Sequence, residues 1–465
     1  MSYFKDKSHK VFSRQDLKDE HPPSFGSRPE KGLSRPISNL LGGMMQRKAK
    51  TILATALSGI LVAGLGMVMA PAQAAKTTIN YFTFSAAPDH LDTLKAMVAA
   101  FEKVNPTIHV NIQTASYNDY FTKLKTQVAA NKAPDTFELN YENFVTYAEA
   151  GSLLNLNSVS AKDKSFKKSA YYGKAYDVFA ANGKQYGLPA SYSTVVLFYN
   201  KDLFDAAGVG YPKNSWDWSD EATAAKALKA KLPAGTYAQY QPTQFWEFYK
   251  VLGQAGGQFL SADKKKALFN KQPGVNALTW LTSKVQNGYM PTKAQMGTLD
   301  DGAMFKAGKL ATIATGIWMF DSFKDAPFKW DIVVQPGGNT PGNHFFANAT
   351  VVSAKTKNAT AAWKWAKFMT SDNAAVKLRV DAAWEVPAVS AKAPLASYLA
   401  KNPPANRQAV FEALKNPIVP PVIKQQSAMQ DAVNAWLEKA QNGTLSVQDA
   451  LNGAAAEVNA ILAKE

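Results

Sequence analysis

The sequence predicts an α/β protein built on parallel, doubly wound sheet structure, and three observations carry that reading. Strand-like and helix-like segments alternate through residues 76–140 in the order βαβαβ, which requires right-handed crossovers between parallel strands. Residues 194–199 form a continuous apolar run, the pattern of a strand buried on both faces. From residue 361 onward, apolar residues recur mostly at helical spacing.

The elements follow in order. Residues 78–84 are rich in β-formers and hold no turn residue. Leu91, Leu94, Met97, Val98 and Phe101 recur at helical spacing, and Pro106 ends that helix. Ile108, Val110 and Ile112 alternate with polar residues as a half-buried strand, leaving His109 toward solvent. Phe121, Leu124 and Val128 mark a second helix, and residues 135–140 a third strand. Ligands of such sheets sit beyond the carboxyl ends of strands, here residues 84–86, 114–117 and 140–142. Farther on, residues 215–221 open a helix running to about Leu232, with acids in its first turn to suit the helix dipole. Strands are expected at 310–315, 330–334 and 345–353, and helices at 361–369, 372–380, 425–440 and 447–463.

Composition bounds the function. The chain has 465 residues, 46% hydrophobic and 19% charged, enough for two or three folded units and too apolar for disorder throughout. Cys is absent, which excludes disulfides, thiolate metal sites, thiol catalysis and a cysteine-borne lipid anchor. Of the +16 formal charge, +6 lies in residues 1–74 and +10 in residues 75–465. Lys is scattered singly, and Arg379 and Arg407 are the only Arg after Lys50, so no nucleic-acid partner is expected.

Residues 1–43 are polar and proline-punctuated and read as a disordered extension, possible to omit if translation starts at Met44 or Met45. Residues 44–74 have the form of a signal peptide. Arg47, Lys48 and Lys50 precede an uncharged stretch, 51–70, and Ala72-Gln73-Ala74 supplies a small-x-small cleavage site. That stretch also reaches the roughly 20 residues of a membrane span. Gly59, Gly64, Gly66 and the site after Pro71 favour cleavage near Ala74 over an uncleaved anchor. An exported chain without an anchor belongs in the periplasm.

Four segments carry a resemblance. They are 94–106 with Ile108-His109-Val110; 129–135 entering a strand; Tyr186-Gly187-Leu188-Pro189 followed by 198–204; and 304–318, ending at Trp318. In this order they resemble the extracellular solute-binding proteins of ABC importers, family 1, in the sugar-binding branch that includes maltose-binding protein. The resemblance implies a two-lobe, type II periplasmic binding protein, each lobe a mainly parallel sheet flanked by helices. It places residues 76–191 and 348–395 in an N-terminal lobe and 192–347 and 396–465 in a C-terminal lobe. It implies a carbohydrate ligand held by domain closure, delivery to an ABC permease, no covalent chemistry, no cofactor and a monomer.

The resemblance also points to site residues. Trp318 lies where the family uses an aromatic sugar platform, and a flat indole suits the C–H face of a pyranose. Tyr240 and Trp246 occupy a region that carries another platform, although Phe245, Phe248 and Tyr249 at helical spacing fit a core equally well. Trp384 and Glu385 match a cleft-facing loop, and Tyr192 and Ser193 lie at the crossing between lobes. From the first lobe, Ser85, Tyr117, Asn140 and Glu142 can supply directed hydrogen bonds; Glu142 also reads as a helix N-terminal acid. The chain departs from maltose-binding protein at Ser193, where that protein has an acid, and at Leu139, where it has an aromatic. Both departures count against maltodextrin itself and leave a sugar as the ligand.

Competing readings keep the fold with an anionic sugar, a polyamine or a metal ion, for which Tyr171-Tyr172 is the motif to consider. An exported glycoside hydrolase would draw two carboxylates from Glu142, Glu385 and Asp300. No His-x-x-x-His spacing, Gly-x-Ser-x-Gly elbow or phosphate-binding glycine loop supports other chemistry.

Overall fold

In the computed structural model the described residues are 76–86 and 90–465. The extension and signal peptide expected in residues 1–74 lie outside them.

Strand β1 (Thr77–Thr83) is followed by α1 (Leu91–Val104), β2 (Ile108–Thr114), α2 (Tyr117–Ala129), β3 (Thr136–Asn140) and α3 (Tyr141–Glu149). The expected βαβαβ order is present, with β1 parallel to both β2 and β3. Helix α1 buries Leu94, Met97, Val98 and Phe101, the stripe its spacing predicts. Exposed His109 on β2 meets Glu102 of α1 at 2.8 Å. At the start of α3 the Asn140 side chain caps the helix, accepting the Asn143 N–H at 3.3 Å.

The chain then leaves this sheet along β4 (Gly187–Ser193) and enters a second sheet as β5 (Val195–Asn200), with Thr194 between them. Helices α4 (Trp218–Lys229), α5 (Phe245–Gln254) and α6 (Gln272–Gln286) precede β6 (Thr312–Gly316) and β7 (Trp330–Val333). Helix α4 opens on a capping box of Asp217 and Asp220. The return strand is β8 (Phe346–Val352), antiparallel to both β3 and β4. Where the two crossing strands meet, the Thr194 hydroxyl donates to the His344 carbonyl at 2.6 Å. Helices α7 (Ala359–Ser371) and α8 (Asn373–Asp381), strand β9 (Val386–Pro387) and α9 (Lys392–Leu399) return to the first lobe; α10 (Gln408–Ala413), α11 (Gln426–Gln441) and α12 (Val447–Leu462) follow.

The first sheet has the order β9-β4-β8-β3-β1-β2 and the second β6-β5-β7. Among the strands of these two sheets, parallel pairing is confined to β1, β2 and β3. In the second lobe β5 is antiparallel to both β6 and β7, where a mainly parallel sheet was expected. Its apolar run marks β5 as a central strand, and a run of that kind carries no information about direction. Helix α9 spans residues 395 and 396, where a lobe boundary was expected, and packs on α8 and β9; α10 packs on β5 and β7.

Each lobe buries apolar residues of its own, and one cluster, with Phe82, Phe137, Phe198 and Ile313, runs across both. In the first, Trp365 is fully buried and meets Tyr81 and Phe101 edge-on at 5.5 and 5.2 Å. In the second, Phe198 of β5 is surrounded by Phe305, Phe320, Phe323 and Trp330, while α5, α6, α11 and α12 enclose a separate apolar cluster around Phe248 and Leu278. The lobes touch where the Thr146 hydroxyl of α3 donates to the Lys424 carbonyl at 2.9 Å and the Lys424 ammonium approaches Glu149 at 3.3 Å.

Candidate functional site

The carboxyl ends of β1, β2 and β3 converge on the first-lobe half of the site. Beyond β1, buried Glu138 of β3 draws the turn into place: one carboxyl oxygen accepts the Phe84 and Ser85 N–H groups at 3.2 and 3.1 Å and the Thr83 hydroxyl as well. Ser85, half-buried, therefore stands on a turn tied to a neighbouring strand. Beyond β2, Tyr117 is 44% exposed, with its hydroxyl receiving the Asn140 amide N–H at 3.1 Å. Asn140 thus has two tasks, helix cap and Tyr117 partner.

Glu142 lies in the first turn of α3 and is 1% exposed. Neither of its carboxyl oxygens has a hydrogen bond from another residue among the described residues. Burial pushes its pKa up to about 8. A buried carboxyl without donors is costly unless something else supplies them. Across the lobe boundary, Tyr249 of α5 also has a buried hydroxyl with no partner among the described residues. Burial, then the Glu142 carboxyl, raises that hydroxyl's pKa well above its usual value. Two unsatisfied polar groups, one from each lobe, therefore face the same region.

The second-lobe half is aromatic. Trp318 follows β6 and is 40% exposed. Its ring folds back over Gly316, where an added Cβ would lie 2.2 Å from ring atoms, so backbone supports the indole from behind. Trp246, at the start of α5, packs near Tyr249 at 6.4 Å between ring centres and edge-on against Phe346 at 5.7 Å. Phe346 lies 5.9 Å from Trp318. Glu142, Tyr249, Trp246, Phe346 and Trp318 thus form a connected series from one lobe to the other.

Other expected residues fall outside this series. Tyr192 and Ser193 are buried in the crossing strand, with Tyr192 stacked between Tyr172 and Phe345 at 5.0 and 6.5 Å. Tyr240 is half-buried beside β6, and burial followed by Asp301 and Asp300 pushes its hydroxyl up to about 12. Trp384 was expected to face the cleft from a loop. The loop exists, but the indole is 3% exposed, stacked on His90 at 4.8 Å and covered by the Arg379 guanidinium at 4.3 Å. Glu385 is also buried: it accepts the Ser191 hydroxyl and, on both oxygens, the Asn348 amide at 3.2 Å. Its geometry ties β4, β8 and β9 together beneath the crossing. Asp300 caps a short helix, accepting the Ala303 N–H at 2.7 Å. Tyr171 bonds Thr370 and Ser371 while Tyr172 packs on Tyr192, so the two tyrosines do not converge. Among the described residues no group of three or more His, Cys, Asp or Glu could hold a metal ion. A groove of about 770 Å³ between Asn105, Asp163, Trp363 and Lys367 lies on the first lobe and contains none of the expected site residues.

Sequence reasoning missed Glu138 and Phe346 and read Tyr249 only as core. Glu138 acts on a turn 53–55 residues away, and Phe346 is hidden in an apolar strand run. The only local signal for Phe346 was its position at the start of a crossing strand.

Residues 87–376, more than half of the chain, match the family of bacterial extracellular solute-binding proteins. The chain belongs to that family. Among solved structures, this solute-binding protein is similar to an ABC substrate-binding protein of Listeria monocytogenes in complex with cycloalternan. The two are 44% identical with a TM-score of 0.80, over 83% of this chain and 99% of that one. It is 27% identical to a maltooligosaccharide ABC transporter solute-binding lipoprotein of Streptococcus pneumoniae, over 88% of this chain and 95% of that protein. It is 25% identical to a maltodextrin-binding protein of Bacillus subtilis, over 75% and 82%. The solute-binding protein has the two-lobe, type II fold of its solved relatives.

Proposed function

We propose that this solute-binding protein closes on a gluco-oligosaccharide and delivers it unaltered to an ABC permease. The observation that carries the reading is the pairing of an exposed indole face, Trp318 backed by Gly316, with the buried, donor-free carboxyl of Glu142. The first accepts the apolar face of a pyranose; the second accepts hydroxyl donors. A guest filling both would stabilise the closed arrangement by contacts absent from the open one. Similarity to the cycloalternan complex and to the maltooligosaccharide protein supports a glucose-based oligosaccharide.

In this reading Glu142, Tyr249, Trp246 and Trp318 contact the ligand, with Ser85 and Tyr117 at the first-lobe edge. Tyr192, Ser193 and Tyr240 shape the crossing and flank, and Trp384 and Glu385 hold the first lobe together. The first lobe takes residues 76–191 and 348–399 and the second 192–347 and 408–465, with the last crossing at 400–407, after α9 and later than the 395/396 boundary expected. The protein acts as a monomer in the periplasm after cleavage near Ala74. In this reading it performs no catalysis: Glu385 and Asp300, the carboxylates a hydrolase would pair with Glu142, are engaged by their neighbours.

A thermal-shift series with cycloalternan, maltotetraose and monosaccharides tests this. A true ligand at about 100 times its Kd adds about 2.7 kcal/mol of stability. A shift with a gluco-oligosaccharide supports the reading; shifts only with amines, uronic acids or metal ions would overturn it.

A further inference from the structure

The groove of about 770 Å³ on the first lobe lies away from the candidate sugar site. Val104 and Asn105, on one wall, end α1 just before β2. The opposite wall is α7, which follows β8, and the last residue of β8, Val352, pairs with Thr136 at the amino end of β3. The groove is therefore at the amino ends of the parallel strands, while the sugar site lies beyond their carboxyl ends. Its volume falls in the range of binding sites, on the order of 300–1,000 Å³.

The floor is braced. The Trp363 indole is 3% exposed, meets Phe166 edge-on at 5.2 Å and donates its Nε1–H to Asp163 at 2.9 Å. Asp163 also accepts the Lys367 ammonium and, at 2.6 Å, the Ser165 hydroxyl, so its charge is offset within the wall. The surroundings are positive: segments 103–105, 157–168 and 357–372 carry eight Lys, two Asp, no Glu and no Arg. Lys162 and Lys364 line the groove, one from the 157–168 segment and one from α7. Both are exposed, and neither has an ion pair among the described residues. A concave surface lined by one sign of charge focuses its field on an oppositely charged guest.

We propose that this groove is a second binding site, for a linear phosphate-bearing polymer held chiefly by Lys162 and Lys364. The donor set favours phosphate: Lys ammoniums serve it as point charges, whereas a carboxylate is clamped best by the fork of an Arg. A chain bearing bases gains nothing further, because the covered indole offers no stacking face. A planar lipid surface would meet the rim and miss the floor. The groove belongs to one lobe, so the lobes can open and close with the polymer in place. The inference holds whichever sugar the cleft takes.

The test is binding of inorganic polyphosphate by the full chain across a salt series. Joint substitution Lys162→Gln and Lys364→Gln should weaken binding by about tenfold at low salt and reduce the log–log salt slope by about one. The same charge change at two exposed lysines of the second lobe, Lys226→Gln and Lys306→Gln, should leave both quantities nearly unchanged. In the unmodified protein, polyphosphate should shield Lys162 and Lys364 from chemical acetylation, read by mass spectrometry, and leave maltotetraose affinity as it was. Equal losses in the two double variants, or lysines left unshielded, overturn the site. Polygalacturonate or phosphatidylglycerol vesicles bound as tightly as polyphosphate overturn the ligand class. Competition between polyphosphate and maltotetraose would move the anion to the cleft and overturn the second site, and failure to bind polyphosphate overturns the proposal while leaving the sugar reading untouched.

Discussion

The indole of Trp318 lies against the backbone of Gly316, so close that no side chain fits at 316 without moving it. Gly316 itself has φ −80° and ψ 155°, an extended conformation open to any residue. Gly316→Ala is therefore strain-free for the backbone and obstructive only for the indole. It should weaken oligosaccharide binding by about tenfold or more while the fold persists, approaching the loss in Trp318→Ala. Calorimetric titration and far-UV circular dichroism check both variants. Unchanged affinity in Trp318→Ala would make the indole a bystander.

Glu142 and His344 set opposite limits on pH. The Glu142 carboxyl is raised by burial from its ordinary 4.5 to about 8, so the stability linked to its proton is full below about 4.5 and lost as pH rises through 8. His344 is lowered by burial, against an opposing pull from Glu247, to about 4 from 6.5. Its contribution is full above 6.5 and lost as pH falls through 4. Ligand-free melting temperature should therefore peak between these limits. Glu142→Gln should flatten the alkaline side alone, where the loss is a few kcal/mol at about 1.4 kcal/mol per pKa unit. An alkaline decline that persists in Glu142→Gln contradicts the assignment.

A guest that donates hydroxyls to Glu142 favours its ionised form. Affinity should then rise from pH 6 to pH 8, with proton release on binding. Titrations in buffers of different ionisation enthalpy measure that release directly; proton uptake would mean that Glu142 donates to the ligand as a neutral acid.

Glu385 is predicted to matter for stability more than for ligand. Glu385→Ala strips the acceptor from Ser191 and Asn348 and removes a charge that offsets the buried Arg379. The expected cost is about 3 kcal/mol in urea unfolding. Affinity of the folded variant should change by less than about threefold, which is below 1 kcal/mol. Full stability with lost binding would return Glu385 to the cleft.

Local pattern made the first lobe legible. Leu94, Met97, Val98 and Phe101 on α1 and the alternation of Ile108 and Val110 on β2 each specify an element from its own residues. The second sheet was less legible because the direction of β5 relative to β6 and β7 depends on partners more than a hundred residues away. Trp318 follows a strand and Glu142 opens a helix, the local positions their segments suggested. Trp384 does not, because Ala383 turns with φ 51° and the indole turns inward under Arg379. Loop position predicted exposure; the available cation and the His90 ring decided burial. Glu138, Tyr249 and Phe346 became visible only through contacts between distant segments.

Closure on an unaltered guest is the central claim, and small-angle scattering of the full chain with and without saturating maltotetraose or cycloalternan tests it most directly. The account predicts a smaller radius of gyration with ligand and recovery of the same intact saccharide afterwards. An unchanged radius with every saccharide that binds, or a cleaved saccharide in the recovered solution, would contradict it.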